Sequence, residues 1–139
     1  KGNSTGSVTS RDLTVEYKKH IMQFLRPKTK KMKIAVDASN GMAAKMVPAL
    51  FTRRSIEIVE LNFEHEGKFK HDPNPLIEKN LADIKAAVRN NECDFGVCFD
   101  GDAGSLMGVD EKGQTIGCDF IMTLMVPYFL QKKPKSAVV

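Results

Sequence analysis

Two short apolar runs, Phe95–Phe99 and Leu106–Val109, are separated by only six residues, each of them small or acidic. Both runs have strand length and are bounded by turn formers, so both read as strands. Parallel neighbours need a crossover of about a dozen residues or more. Six residues cannot supply it, so the strands, if paired, run antiparallel. At the bend sit two carboxylates, Asp100 and Asp102, on either side of Gly101. A glycine there can take backbone angles closed to other residues and turn both acids toward one point. Hard oxygen donors on a tight loop suit Mg²⁺ or another oxygen-seeking cation.

The rest of the chain alternates helix and strand around this bend. Residues 1–9 are rich in Gly, Ser and Thr and read as a flexible lead-in. From Ser10, a possible cap, Leu13, Tyr17, Ile21 and Phe24 recur at helical spacing until Pro27. Lys33–Asp37 is a short strand, and Asp37–Gly41 a strand-to-helix turn in which Asp37 reads as a cap. A helix over Met42–Arg53 follows, with Pro48 expected to kink it. Ile56–Phe63 reads as a strand, and Glu64–Pro75 as a loop broken by Pro73 and Pro75. Leu81, Ile84 and Val88 mark an amphipathic helix over Leu76–Asn91. After the two central strands, Asp110–Gly113 has the composition of a tight hairpin turn. Asp119 can cap a last helix, Phe120–Leu130.

This order predicts a three-layer α/β/α fold with helices on both faces of a small mixed sheet, three strands parallel and one antiparallel. Ligands of such sheets gather at the C-terminal ends of the parallel strands, where both Asp37 and Asp100 lie. Residues 10–131 form the expected domain; residues 132–139 read as a Lys/Pro linker leading into the first strand of a truncated domain.

Composition narrows the function. The chain has 139 residues, enough for one domain with a real core. Its net charge of +4 comes largely from lysine runs at 28–33 and 132–135, with no interleaved aromatic residues to stack bases, so no nucleic-acid partner is expected. No apolar run reaches membrane-spanning length, so no membrane partner is expected either. Three cysteines, Cys93, Cys98 and Cys118, have no metal-site spacing, which suggests a reducing compartment and the cytoplasm as default. Met42, Met46, Met107, Met122 and Met125 read as core filler, and His71 as support for the Pro73-Asn74-Pro75 turn. An EF-hand is excluded: Glu111 is the twelfth residue from Asp100, but Gly104 and Ser105 stand where that loop needs a ligand and a glycine.

Four stretches together resemble one family. They are Ile34-Ala-Val-Asp37-Ala-Ser-Asn40-Gly41-Met42, His71-Asp-Pro73-Asn74-Pro75-Leu76, Asn80-Leu81-Ala-Asp-Ile84, and Phe99-Asp100-Gly101-Asp102-Ala103 with Val109-Asp110-Glu111-Lys112-Gly113 behind it. Their order and spacing resemble the second, metal-loop domain of the α-D-phosphohexomutases, the phosphoglucomutase and phosphomannomutase enzymes. The resemblance covers about Asp12 to Leu130.

That resemblance implies a reversible transfer of phosphate between the 1- and 6-positions of a hexose phosphate, through a phosphoserine and a bisphosphorylated sugar. It implies that the second domain supplies Mg²⁺ ligands in a D-G-D-x-D-R pattern, and that Asp100 and Asp102 are the first two. The third ligand position is Gly104 and the following arginine position is Ser105, which implies a metal site weakened or lost. The serine, sugar and phosphate loops of the family have no counterpart in this chain, so no catalytic or cofactor-binding residue is assigned and the isolated chain is not expected to turn over substrate. The hexose phosphate and the neighbouring domains are partners of the full-length parent, and exposed apolar faces are expected to make the fragment self-associate. A noncatalytic homologue serving as a scaffold or binding module is the alternative.

Overall fold

The structure is a computed structural model, and it describes residues 6–24, 30–51 and 55–138. Helices α1 (Thr14–Met22), α2 (Ala43–Leu50), α3 (Ala82–Asn90) and α4 (Cys118–Lys132) surround five strands. These are β1 (Met32–Asp37), β2 (Ile56–Leu61), β3 (Phe95–Phe99), β4 (Leu106–Asp110) and β5 (Thr115–Ile116). The sheet order is β2-β1-β3-β4-β5. β1 is parallel to both β2 and β3; β4 is antiparallel to β3, as the short connection requires, and to β5. The mixed α/β sheet expected from the sequence is therefore present, with one strand more. β5 is only two residues long, too short to show a period. It is the returning arm of the Asp110–Gly113 hairpin, where Gly113 takes a positive φ of 77° and Asp110 Oδ1 accepts the Lys112 and Gln114 N–H groups.

Alternation along the strands sorts the core into two layers. Ile34, Val36 and Ala38 join Ala43 and Val47 of α2 on one face, with Phe95 and Phe99 packed against them. Ala35, Cys98, Met107 and Val109 join Leu81, Ile84 and Val88 on the other, under α3. The α4 helix lies across β4 on the α2 side, where Ile121 approaches Gly108.

Several boundaries and packing roles differ from the sequence expectation. The first helix starts at Thr14 rather than Ser10, because the Asp12 carboxylate accepts both the N–H and the hydroxyl of Thr14. Its predicted stop, Pro27, and the predicted end of the next helix, Arg53, lie outside the described residues. Pro48 does fall inside α2, where it cannot donate to the carbonyl four residues back, and the helix ends at Leu50. β2 stops at Leu61 because Asn62 turns left-handed, with φ 55°. The third helix begins at Ala82, after a 3-10 turn over Glu78–Leu81; Asn74 holds the preceding bend by accepting the Leu76 N–H and the Asn80 amide. Of the methionines taken as core, Met107 is buried, whereas Met42, Met122 and Met125 are exposed. Residues 136–138, expected to open a strand, are in none. Among the described residues no helix is long and apolar enough to cross a membrane.

Candidate functional site

The C-terminal edge of the parallel strands brings the two predicted acid positions side by side. Asp37 ends β1, whose register sets it opposite Cys98, so Asp100 follows just beyond on the neighbouring strand. The chain after β3 bends within six residues: the Asp100 N–H donates to the Ser105 carbonyl at 3.1 Å, and the Ala103 N–H to the Asp100 carbonyl at 3.2 Å. Gly101 does not supply the left-handed step expected of it. That step is taken by Ala103, at φ 60°. The glycine the bend depends on is Gly41, across the gap on the β1–α2 turn. A Cβ there would lie 2.3 Å from the Gly101 carbonyl oxygen, and the neighbouring Met42 N–H donates to that same oxygen at 3.0 Å.

The two loop carboxylates have different surroundings. Asp100 is half-buried, and its Oδ1 is shielded from solvent without a hydrogen-bond partner. Burial pushes its carboxyl up, but donors from Ser105 and the Gly104 N–H outweigh this and hold it below the usual 3.8. Asp102 is exposed, and its Oδ1 accepts the Gly104 N–H at 3.0 Å. Gly104 thus contributes a backbone donor where the resemblance calls for a third carboxylate. Among the described residues no three acid, His or Cys side chains gather closely enough to hold a metal ion. The donor chemistry does fit a hard cation: an orphaned buried carboxylate oxygen on Asp100 and a second, exposed carboxylate on Asp102 two residues on, with water or other oxygens completing the shell.

Asp37 is not the helix cap expected from the sequence; the cap position of α2 is Met42. Instead the wholly buried Asp37 is the centre of a polar network. Its Oδ1 accepts the Ser39 N–H at 2.8 Å and the Asn62 amide at 2.9 Å, and its Oδ2 faces His71 Nε2 at 3.2 Å. His71 Nδ1 meets the Asp72 carbonyl at 2.9 Å, in keeping with a role at the proline turn. The Ser39 hydroxyl donates to the Phe99 carbonyl at 2.6 Å, directly before Asp100. Asn40 clasps the following loop at both ends, donating to the Glu64 carbonyl and accepting the Lys70 N–H, each at 2.9 Å. Ser39 and Asn40 stood in a motif stretch but, like Asn62, received no role from the sequence; the local signal was a polar cluster at strand ends, which a turn explains equally well.

Cys98 is buried beneath this network, and desolvation first, with the nearby Asp37 charge, raises its thiol to about 11. It packs as a buried core thiol.

Comparison with known proteins agrees with this architecture. The model of the phosphoglucomutase/phosphomannomutase alpha/beta/alpha domain II matches residues 15–113. A phosphoglucomutase of Neisseria meningitidis is 36% identical over 135 residues, covering 96% of this chain and 29% of the relative. A phosphomannomutase of Vibrio cholerae is 33% identical over 141 residues, covering 96% and 30%. The crystal structure of a phosphoglucomutase/phosphomannomutase family protein from Burkholderia thailandensis superposes with a TM-score of 0.80 at 31% identity, over 88% of this chain and 27% of that one. The chain thus spans less than a third of the length of these relatives. Fold and sequence agree, and the chain belongs to the phosphoglucomutase/phosphomannomutase family as an alpha/beta/alpha domain II.

Proposed function

We propose that this chain is the metal-loop domain of a phosphohexomutase-like enzyme that interconverts hexose 1-phosphate and 6-phosphate through a phosphoserine and a bisphosphorylated sugar. The observation that carries the reading is the orphaned Asp100 Oδ1 on a tight bend at the ligand edge of the sheet, with Asp102 two residues on. In this proposal Asp100 and Asp102 hold Mg²⁺. Bound there, the cation would neutralise oxygen charge on a transferring phosphoryl group. The chain's own residues set the donor positions: donors from Ser105 and Gly104 lower the Asp100 carboxyl against the opposing effect of burial, and the Gly104 N–H fixes one oxygen of Asp102. Residues 10–131 are the domain, and its hexose phosphate and neighbouring domains belong to the longer parent. The free buried thiols of Cys93 and Cys98 fit a reducing, cytoplasmic setting.

Gly104 and Ser105 favour a second reading, a noncatalytic homologue whose domain is a scaffold. Calorimetric titration with Mg²⁺ and Mn²⁺ separates the two. Millimolar binding by the native chain, abolished in Asp100→Ala, supports the enzyme. Silence from the native chain, with binding gained by the Gly104→Asp, Ser105→Arg double variant, supports the scaffold. In the isolated chain α4 has no buried residue and exposes Phe120, Leu124 and Phe129. We propose that this face packs on neighbouring domains in the parent and pairs with a second copy in the fragment. Sedimentation independent of concentration would refute the pairing.

A further inference from the structure

Asp37 is the one ionisable carboxyl that is wholly buried among the described residues, and the proposed chemistry does not use it. Burying a carboxylate carries an effective penalty of several kcal/mol unless charge and hydrogen bonds are matched. Here three donors from three separate segments converge on it: the Ser39 N–H, the Asn62 amide and the His71 ring. Both ring nitrogens of His71 face oxygens that only accept, the Asp37 carboxylate and the Asp72 carbonyl. Of the three partners, His71 is the one that lies within the loop between Asn62 and Leu76.

His71 also stands midway between the two side chains that border the Asp loop. A Cβ at Gly101 would meet Pro73 at 3.6 Å and Phe69 at 3.7 Å, and these flank His71 at two residues' distance on either side. From the other end of the network, Ser39 reaches the Phe99 carbonyl and Met42 reaches the Gly101 carbonyl. The Asp100–Asp102 bend is thus bordered from two directions, and Asp37 bonds into each, to Ser39 on one side and to His71 on the other.

We infer that His71 is a positioning residue: by pairing with buried Asp37 it pins the loop between Asn62 and Leu76 against Gly101 and so fixes the geometry of the Asp100–Asp102 bend. The inference deepens the metal-loop reading and rests on it only for what the bend would bind. Its test contains no metal, so either can fail alone.

The test is amide hydrogen exchange by NMR on the 139-residue chain, native and His71→Ala. The amides to read are Met42, Asp100, Ala103 and Gly104, whose hydrogen bonds define the bend. In His71→Ala they should exchange faster by about tenfold, the factor expected for loss of one net hydrogen bond, while Ile34–Val36 in the central strand exchange as before. His71→Gln, whose amide nitrogen can take the place of Nε2, should restore most of the protection. Unchanged exchange in the bend, an equal rise in bend and central strand, or no restoration by glutamine would each overturn the inference. If His71→Ala does not fold, the native chain still decides. A His71 Nε2 proton that exchanges slowly and shows a nuclear Overhauser effect to Asn62 or Ser39 supports the pairing; a freely exchanging one refutes it.

Discussion

Two neighbouring parallel strands, β1 and β3, lead into aspartates at the same edge of the sheet, and the two carboxylates live in opposite conditions. Asp37 is wholly buried and every oxygen has a partner. Asp100 is half-buried and one of its oxygens has none. A satisfied buried charge contributes to holding a structure in place; an unsatisfied one is held ready for something that is not protein. Burial alone would rank Asp37 as the more important site. The unpartnered oxygen of Asp100 reverses the ranking and supports the proposal that Asp37 is structural and Asp100 the ligand carboxylate.

The largest test of this contrast is to remove each carboxylate in turn. Asp37→Ala leaves the Asn62 amide, the Ser39 N–H and the His71 ring without their acceptor, and should cost about 3 kcal/mol or more in urea unfolding. Asp100→Ala removes a charge that no protein group pairs at Oδ1, and should stay within about 1 kcal/mol of the native chain. Equal losses would erase the distinction. Next in size is Gly41→Ala, at about 2 kcal/mol, because the new methyl would sit on the Gly101 carbonyl oxygen and force the two strand-end turns apart. That variant should also lower protection of the Met42 amide, which spans the same gap. A neutral Gly41→Ala would mean that the two turns are not mechanically joined.

The sequence made one side of this contrast legible and hid the other. Asp100 and Asp102 could be found because the features that mark their bend lie within a few residues, namely two apolar runs, a short connection and small side chains; the remote supports from Gly41 and Ser39 left no local trace. The sheet was legible for the same reason, since period-two alternation and crossover length are local properties. Asp37 read as an ordinary helix cap because its real partners, Asn62 and His71, lie 25 and 34 positions away. Ala103 rather than Gly101 takes the left-handed step because the hydrogen bond from its own N–H to the Asp100 carbonyl closes the turn there; composition alone pointed to the glycine. On α4, apolar residues lie on every side, so no stripe distinguishes the face on the sheet from the face left exposed.

The smallest expected effect is a pH dependence, and its sign sharpens the contrast within the Asp loop itself. Asp100 is lowered from the ordinary 3.8, by donors from Ser105 and Gly104 that overcome the opposing effect of burial. A carboxyl with a folded-state pKa below its unfolded one binds protons more readily when unfolded. Its contribution to stability is then complete above the unfolded value and is lost as pH falls through the folded one. Asp100→Asn has no such proton to take up. The stability of the native chain relative to Asp100→Asn should therefore be constant from neutral pH down to about 5 and decline below about 4. Unfolding of both chains by urea across that range measures it. A difference that grows in acid would mean that burial, and not the loop's donors, sets the ionisation of Asp100, and the carboxylate would then be poorly prepared for a cation.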